Sequence, residues 1–186
     1  MSPPPHELES QFGLPASDIL NVIKQHNRCL ISVRGAIAEE HLRRGLVQLQ
    51  QQRAIEGFEQ MDRDGYPDFE VRFSGQTFLI ECKNVEKQKT QSPNERITVD
   101  FQRTRNQRLG PERRFYKPDE FDILAACLWN RTGRWTFVYV ATKHLPQHPL
   151  YSDRIYNRVV VPLADDRPAS PWSESLTDIL DQLMSG

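Results

Sequence analysis

The 186-residue sequence predicts a mixed α/β fold. Three observations lead there: helical spacing of apolar residues before residue 57, a pair of short strand-like runs joined by Ser-Gly, and further apolar runs closed by a C-terminal helical pattern. Hydrophobic residues make up 38% and charged residues 26%, which excludes a disordered chain. No apolar run approaches the roughly 18 residues a membrane span needs. The opening MSPPPHELES lacks the basic-then-apolar pattern of an export signal, so a cytoplasmic location is expected. Residues 1–17, rich in Pro and Ser, are expected as a flexible leader, and 18–186 as a single domain.

Helical periodicity begins near Asp18, a candidate N-cap, with Ile19, Leu20, Val22 and Ile23 on one side. After Gly35, residues Ala36, Ile37, Glu39, Glu40, Leu42, Leu46, Val47 and Leu49 recur at three and four, predicting a helix toward residue 56. Gly35 leaves open whether one helix or two cover 18–56.

Asp62 to Gly65 reads as a turn. Phe69, Val71 and Phe73 alternate with Glu70 and Arg72, a strand with one buried face. Ser74-Gly75 is a favourable hairpin connector. Thr77 to Cys82 is apolar at nearly every position and is expected at the centre of a sheet. A polar loop over 86–95 follows, and the later part of 97–107 is expected to be helical. Residues 110–119 read as a basic loop, and 121–129 as a helix or a strand. Residues 135–141 and 159–163 read as strands, and 173–183 as the last helix.

Three scattered cysteines, Cys29, Cys82 and Cys127, fit neither a disulfide framework nor a metal-cluster spacing. Cys82 and Cys127 read as small buried hydrophobes. Pro146 between His144 and His148 argues against a helical zinc pair and for a surface loop. Trp129, Trp135 and Phe137 are expected in the core, while Phe115 and Tyr116 suit either a core or a groove. The net charge is −1, but between Lys83 and Lys117 ten basic residues face four acidic ones. A local field of that kind attracts a polyanion.

The hairpin carries the chemistry. A two-residue turn at Ser74-Gly75 places Phe69 opposite Ile80 and Asp68 opposite Glu81. Directly opposed residues hold their Cβ atoms about 4.5–5.5 Å apart, where two carboxylates repel. A divalent cation between them removes the repulsion. Glu81 and Lys83, two apart on a strand, project from one face. A one-residue slip would turn Asp68 away, and the apolar alternation argues against it. Pro67, with fixed φ and no N–H, suits the strand's first position and would hold Asp68 rigidly.

Pro67-Asp68 followed by Glu81-Cys82-Lys83 resembles the motif of the PD-(D/E)xK nuclease superfamily, and the resemblance covers roughly residues 34–141. It implies a restriction-endonuclease-like α/β core, a central mixed β-sheet flanked by helices, and Mg²⁺-dependent phosphodiester hydrolysis with Mn²⁺ as a substitute. Asp68 and Glu81 match the metal-binding acids, with the backbone carbonyl of Cys82 as a further ligand, and Lys83 matches the superfamily's lysine. Glu39, on the preceding helix, is similar to an additional acidic residue of many members, with Glu40 beside it as the alternative. Gln102 looks like a glutamine that members often carry after the sheet core. The neighbouring Arg103, Arg105, Arg108, Arg113, Arg114 and Lys117 would then bind DNA. The chain lacks the four cysteines of the helicase-linked iron–sulfur branch. The resemblance therefore implies a stand-alone enzyme acting on double-stranded DNA, most directly a type II restriction endonuclease working as a homodimer. The alternatives are a structure-specific repair or recombination nuclease, another defence nuclease, and an inactive nucleic-acid-binding module.

Overall fold

The computed structural model describes residues 6–63, 65–87, 96–100, 111–164 and 167–186. Residues 1–37 form one compact unit and 38–186 a second.

The N-terminal unit is helical. Helix α1, Glu7–Phe12, lies in the stretch expected as a leader. His6 and Glu9 build a capping box there, and Gly13 ends the helix in the left-handed region. Helix α2, Ala16–Gln25, starts after Pro15, which puts Asp18 in its first turn rather than at the cap. Helix α3, Asn27–Gln51, runs straight through Gly35. The question left open at Gly35 resolves as two helices, divided at His26, whose backbone is extended. A mid-helix glycine costs only about 1 kcal/mol, and the helix-forming residues around it absorb that.

In the second unit, α3 buries Ala38, Leu42 and Leu46, one apolar stripe repeating every four residues. The helix stops at Gln51, short of residue 56. Arg53 adopts φ 60°, and strand β1, Gly57–Gln60, follows. That strand is too short and too polar to show a period in the sequence.

Strands β2, Phe69–Phe73, and β3, Gln76–Asn84, form the expected hairpin. Ser74 and Gly75 have φ 50° and 74°, positive at both central positions as in a type I′ turn. The register pairs Phe69 with Ile80 and Phe73 with Gln76, as the sequence predicts. Strand β4, Ile97–Asp100, precedes β5, Ile123–Cys127, which is buried throughout and resolves 121–129 as a strand. Helix α4, Trp129–Thr132, and strand β6, Phe137–Ala141, come next. The main sheet has the order β1-β2-β3-β5-β6, with β3 at its centre. Among the described residues of this sheet only the β3–β5 pairing is parallel, so the sheet is mixed.

Strand β7, Arg158–Val161, pairs antiparallel with β4 in a separate ribbon. Ile97–Asp100 is a strand because Ile97 and Val99 alternate toward a partner far along the chain, and the helix expected in the later part of 97–107 falls on 101–110, outside the described residues. Short strands β8, Leu163–Ala164, and β9, Arg167–Pro168, precede helix α5, Leu176–Met184, capped by Ser175.

Two apolar clusters cover the sheet. One joins Phe69, Phe78, Ile80 and Cys82 to α3 and α5; the other joins Leu124, Ala126, Val138 and Val140 to β4, β7 and Phe121. Cys82 and Cys127 are buried as expected, and Cys29 is exposed. Trp129, Trp135 and Phe137 pack against the first cluster. His148 departs from its expected surface loop. It is buried against Phe115, Tyr151 and Tyr156, whose rings offset the cost of covering a polar imidazole. Among the described residues, no helix is long and apolar enough to cross a membrane.

Candidate active site

The site lies where the β2–β3 hairpin opens, away from its turn. Pro67 is buried at the entry to β2, and Asp68 follows it half-buried. An Asp68 carboxylate oxygen accepts the Cys82 backbone N–H at 2.7 Å, tying the acid to the neighbouring strand. A residue's N–H and C=O leave a strand on the same side, so the Cys82 carbonyl opens toward the Asp68 edge as well. Burial and the nearby charge of Glu81 push the Asp68 carboxyl up to about 7, against the opposing pull of Lys83.

Glu81 is only 3% exposed. Its Oε1 receives two donors: Lys83 Nζ at 2.5 Å and the Tyr116 hydroxyl at 2.6 Å. Burial works against the Lys83 charge, yet Glu81, Tyr116 and Asp68 together raise its pKa above the ordinary lysine value. The ammonium therefore stays protonated, 5.8 Å from the centre of the Tyr116 ring.

The two acids on α3 have opposite surroundings. Glu40 accepts hydrogen bonds from Arg43 and Arg44, which hold its carboxyl down to about 2. Glu39 is half-buried; burial raises its pKa, Lys83 lowers it, and Glu81 and Asp62 raise it further. Glu39, and not Glu40, thus shares the field of Glu81 and Lys83.

Asp68, Glu81, Lys83 and Glu39 are electrostatically one group. Gln102, Arg103, Arg105 and Arg108 lie outside the described residues, as does the side chain of Arg113. Arg114 is half-buried at the end of a 3-10 turn, and Lys117 is exposed with its N–H bonded to Glu120. Tyr116 is the residue whose place the sequence left undecided. Its ring packs edge-on against Phe121 while its hydroxyl reaches Glu81 thirty-five positions away in the chain. Its one visible signal was adjacency to the basic tract. Among the described residues, no group of three or more His, Cys, Asp or Glu side chains is arranged to hold a metal ion. A cavity of about 720 Å³ opens elsewhere, lined by residues including His41, Arg44, Trp135 and Tyr139, and none of Asp68, Glu81, Lys83 or Tyr116 lines it.

The chain is similar in structure to a bacterial homing endonuclease, I-Ssp6803I, with a TM-score of 0.53 and 17% identity, over 83% of this chain and 95% of that one. That likeness, with the mixed sheet flanked by helices, defines the class of fold: restriction-endonuclease-like α/β. No protein-family model matches the chain, and no curated protein matches it in sequence.

Proposed function

We propose that the chain is a Mg²⁺-dependent endonuclease that hydrolyses phosphodiester bonds in double-stranded DNA, most directly a type II restriction enzyme acting as a homodimer. One observation carries this reading: the register of β2 and β3 sets Asp68 beside the buried Glu81, with Lys83 on the same strand and face as Glu81. The fold shared with an endonuclease supports it. Two-fold symmetry supplies one active site for each DNA strand.

The donors suit a hard cation. Mg²⁺ is commonly held by one or two carboxylates and keeps several waters, so Asp68 and Glu81 suffice without a third acid. The raised Asp68 carboxyl marks a place where positive charge is favourable. Glu39, whose charge couples to Lys83, Glu81 and Asp68, and the Cys82 carbonyl are further oxygen donors. When bound, the metal supplies Lewis-acid activation of water and of the phosphoryl oxygen.

The residues divide the remaining work. Lys83, kept cationic by the carboxylates, stabilises negative charge developing on the phosphate rather than accepting a proton. Tyr116 fixes the orientation of the Glu81 carboxylate by bonding the oxygen that Lys83 also contacts. Gln102 orients the water or the phosphate, and Arg103, Arg105, Arg108, Arg113, Arg114 and Lys117 hold the DNA backbone.

The test incubates the wild type and Glu81→Gln with long unmethylated duplex DNA in Mg²⁺ or in EDTA. Discrete fragments with the wild type in Mg²⁺ alone are expected, with cleavage reduced at least about a hundredfold by the substitution. Intact DNA under every condition, on branched junctions as well as linear duplex, would remove the endonuclease reading.

A further inference from the structure

Between β6 and β7 the chain folds back on itself as a tight hairpin. Gln147 and Ile155 form an antiparallel bridge, His148 N–H donates to the Arg154 carbonyl at 2.8 Å, and Tyr156 N–H donates to the Pro146 carbonyl at 2.7 Å. His148 and Arg154 therefore stand directly opposite each other, with their side chains on one face. That face is aromatic. The His148 ring lies 4.3 Å from Phe115, 4.9 Å from Tyr151 and 5.9 Å from Tyr156, centroid to centroid.

The Arg154 side chain is only 12% exposed. Among the described residues, its Nε–H is buried without a hydrogen-bond partner. Among the described residues, the carboxylate it meets is that of Asp153, 3.5 Å from Nη2 and itself 67% exposed. His148 offers no counter-charge, and its Nδ1 accepts the Leu150 N–H. A covered guanidinium with an unused N–H and a single, largely solvated counter-charge is expensive. An anion seated against the guanidinium would offset that expense.

The hairpin is also fastened to the candidate site. Ile155 N–H donates to the Tyr116 carbonyl at 2.8 Å, and the Tyr116 hydroxyl holds Glu81. We propose that Arg154, walled by Phe115, His148, Tyr151 and Tyr156, is a phosphate-binding pocket that seats one backbone phosphate of the nucleic acid beside the Asp68–Glu81 centre. The phosphate chemistry follows from the pocket; its source in duplex DNA rests on the nuclease reading.

The experiment titrates a fluorescent duplex with wild type, Arg154→Gln and Arg154→Lys in EDTA over a series of salt concentrations, and separately measures the melting shift given by inorganic phosphate. Arg154→Gln is expected to weaken duplex binding roughly three- to tenfold and to lower the slope of log affinity against log salt by about 1. Arg154→Lys is expected to keep most of the slope, and phosphate is expected to raise the melting temperature of the wild type more than that of either variant. If the wild type binds the duplex and both variants keep its slope and affinity, the pocket is overturned and the nuclease reading stands. If the wild type ignores the duplex but phosphate stabilises it and not Arg154→Gln, the pocket stands and the nuclease reading falls. Should Arg154→Gln fail to fold, Arg154→Lys decides: a phosphate-induced shift smaller than the wild type's supports the pocket, and an equal one overturns it.

Discussion

On one face of β3, Phe78, Ile80 and Cys82 are sealed beneath α3 and α5; on the other, Leu79 gives way to Glu81 and then Lys83 as the strand leaves the core. One strand of nine residues thus carries a closed face and an opening one, separated only by the alternation of its side chains. The closed face fixes where β3 lies. The opening face uses that fixed frame to hold two carboxyl groups within one another's field. Rigidity on one side is what makes electrostatic tension on the other sustainable.

The largest effect is expected from breaking the closed face. Phe69 is fully buried opposite Ile80 and packs in the cluster beneath α3. Phe69→Ala should destabilise the protein by about 4 kcal/mol through lost burial and the cavity left behind. Denaturant unfolding reads it. A loss below about 1 kcal/mol would mean that this face does not anchor the hairpin.

Asp68→Asn addresses the opening face and should act with the opposite sign. The Asp68 carboxyl is raised to about 7 in the folded protein from an ordinary value of 3.8, so the fold favours its neutral form. Its contribution is fully present below about pH 4, is lost as pH rises toward 7, and stays lost above that. In metal-free buffer the wild type should lose about 3 kcal/mol across this window, a figure discounted for the solvent Asp68 still meets. Asn keeps an oxygen for the Cys82 N–H and has nothing to ionise. The variant should match the wild type at pH 4 and exceed it at pH 8. Parallel stability profiles for the two proteins from pH 4 to 8 would show that neither burial nor the charge of Glu81 raises the Asp68 carboxyl.

The two faces were not equally legible in the sequence. The hairpin was, down to its register, because Ser74-Gly75 and the alternation of Phe69, Val71 and Phe73 are local signals that agree. The same agreement placed Asp68 and Glu81 together. Pairings set by distant partners left no such trace. Ile97 to Asp100 became a strand because β7 lies beside it some sixty residues on, and Gly57 to Gln60 because β2 does. The choice between Glu39 and Glu40 depended on which way a helix turns over the sheet, which a period of 3.6 cannot fix at adjacent positions. Tyr116 reaches Glu81 from a loop, where neither period applies.

The smallest of these effects, and the one that most sharpens the contrast, concerns Tyr116. Its hydroxyl bonds a Glu81 oxygen that also contacts Lys83, so Tyr116→Phe removes one of two donors and leaves the carboxylate still paired. The ring keeps its edge-on contact with Phe121. Stability should therefore fall by only about 1 kcal/mol, near the low end for a hydrogen bond to a charged group. Mn²⁺ affinity, measured by calorimetry without DNA, should fall further, roughly tenfold, because a carboxylate freed to rotate presents its oxygens less well. A packing role alone predicts unchanged Mn²⁺ affinity, whereas an orienting role predicts that affinity drops more than stability does. If both proteins bind Mn²⁺ equally, Tyr116 is a packing aromatic of the Phe121 cluster whose hydroxyl merely ends at Glu81.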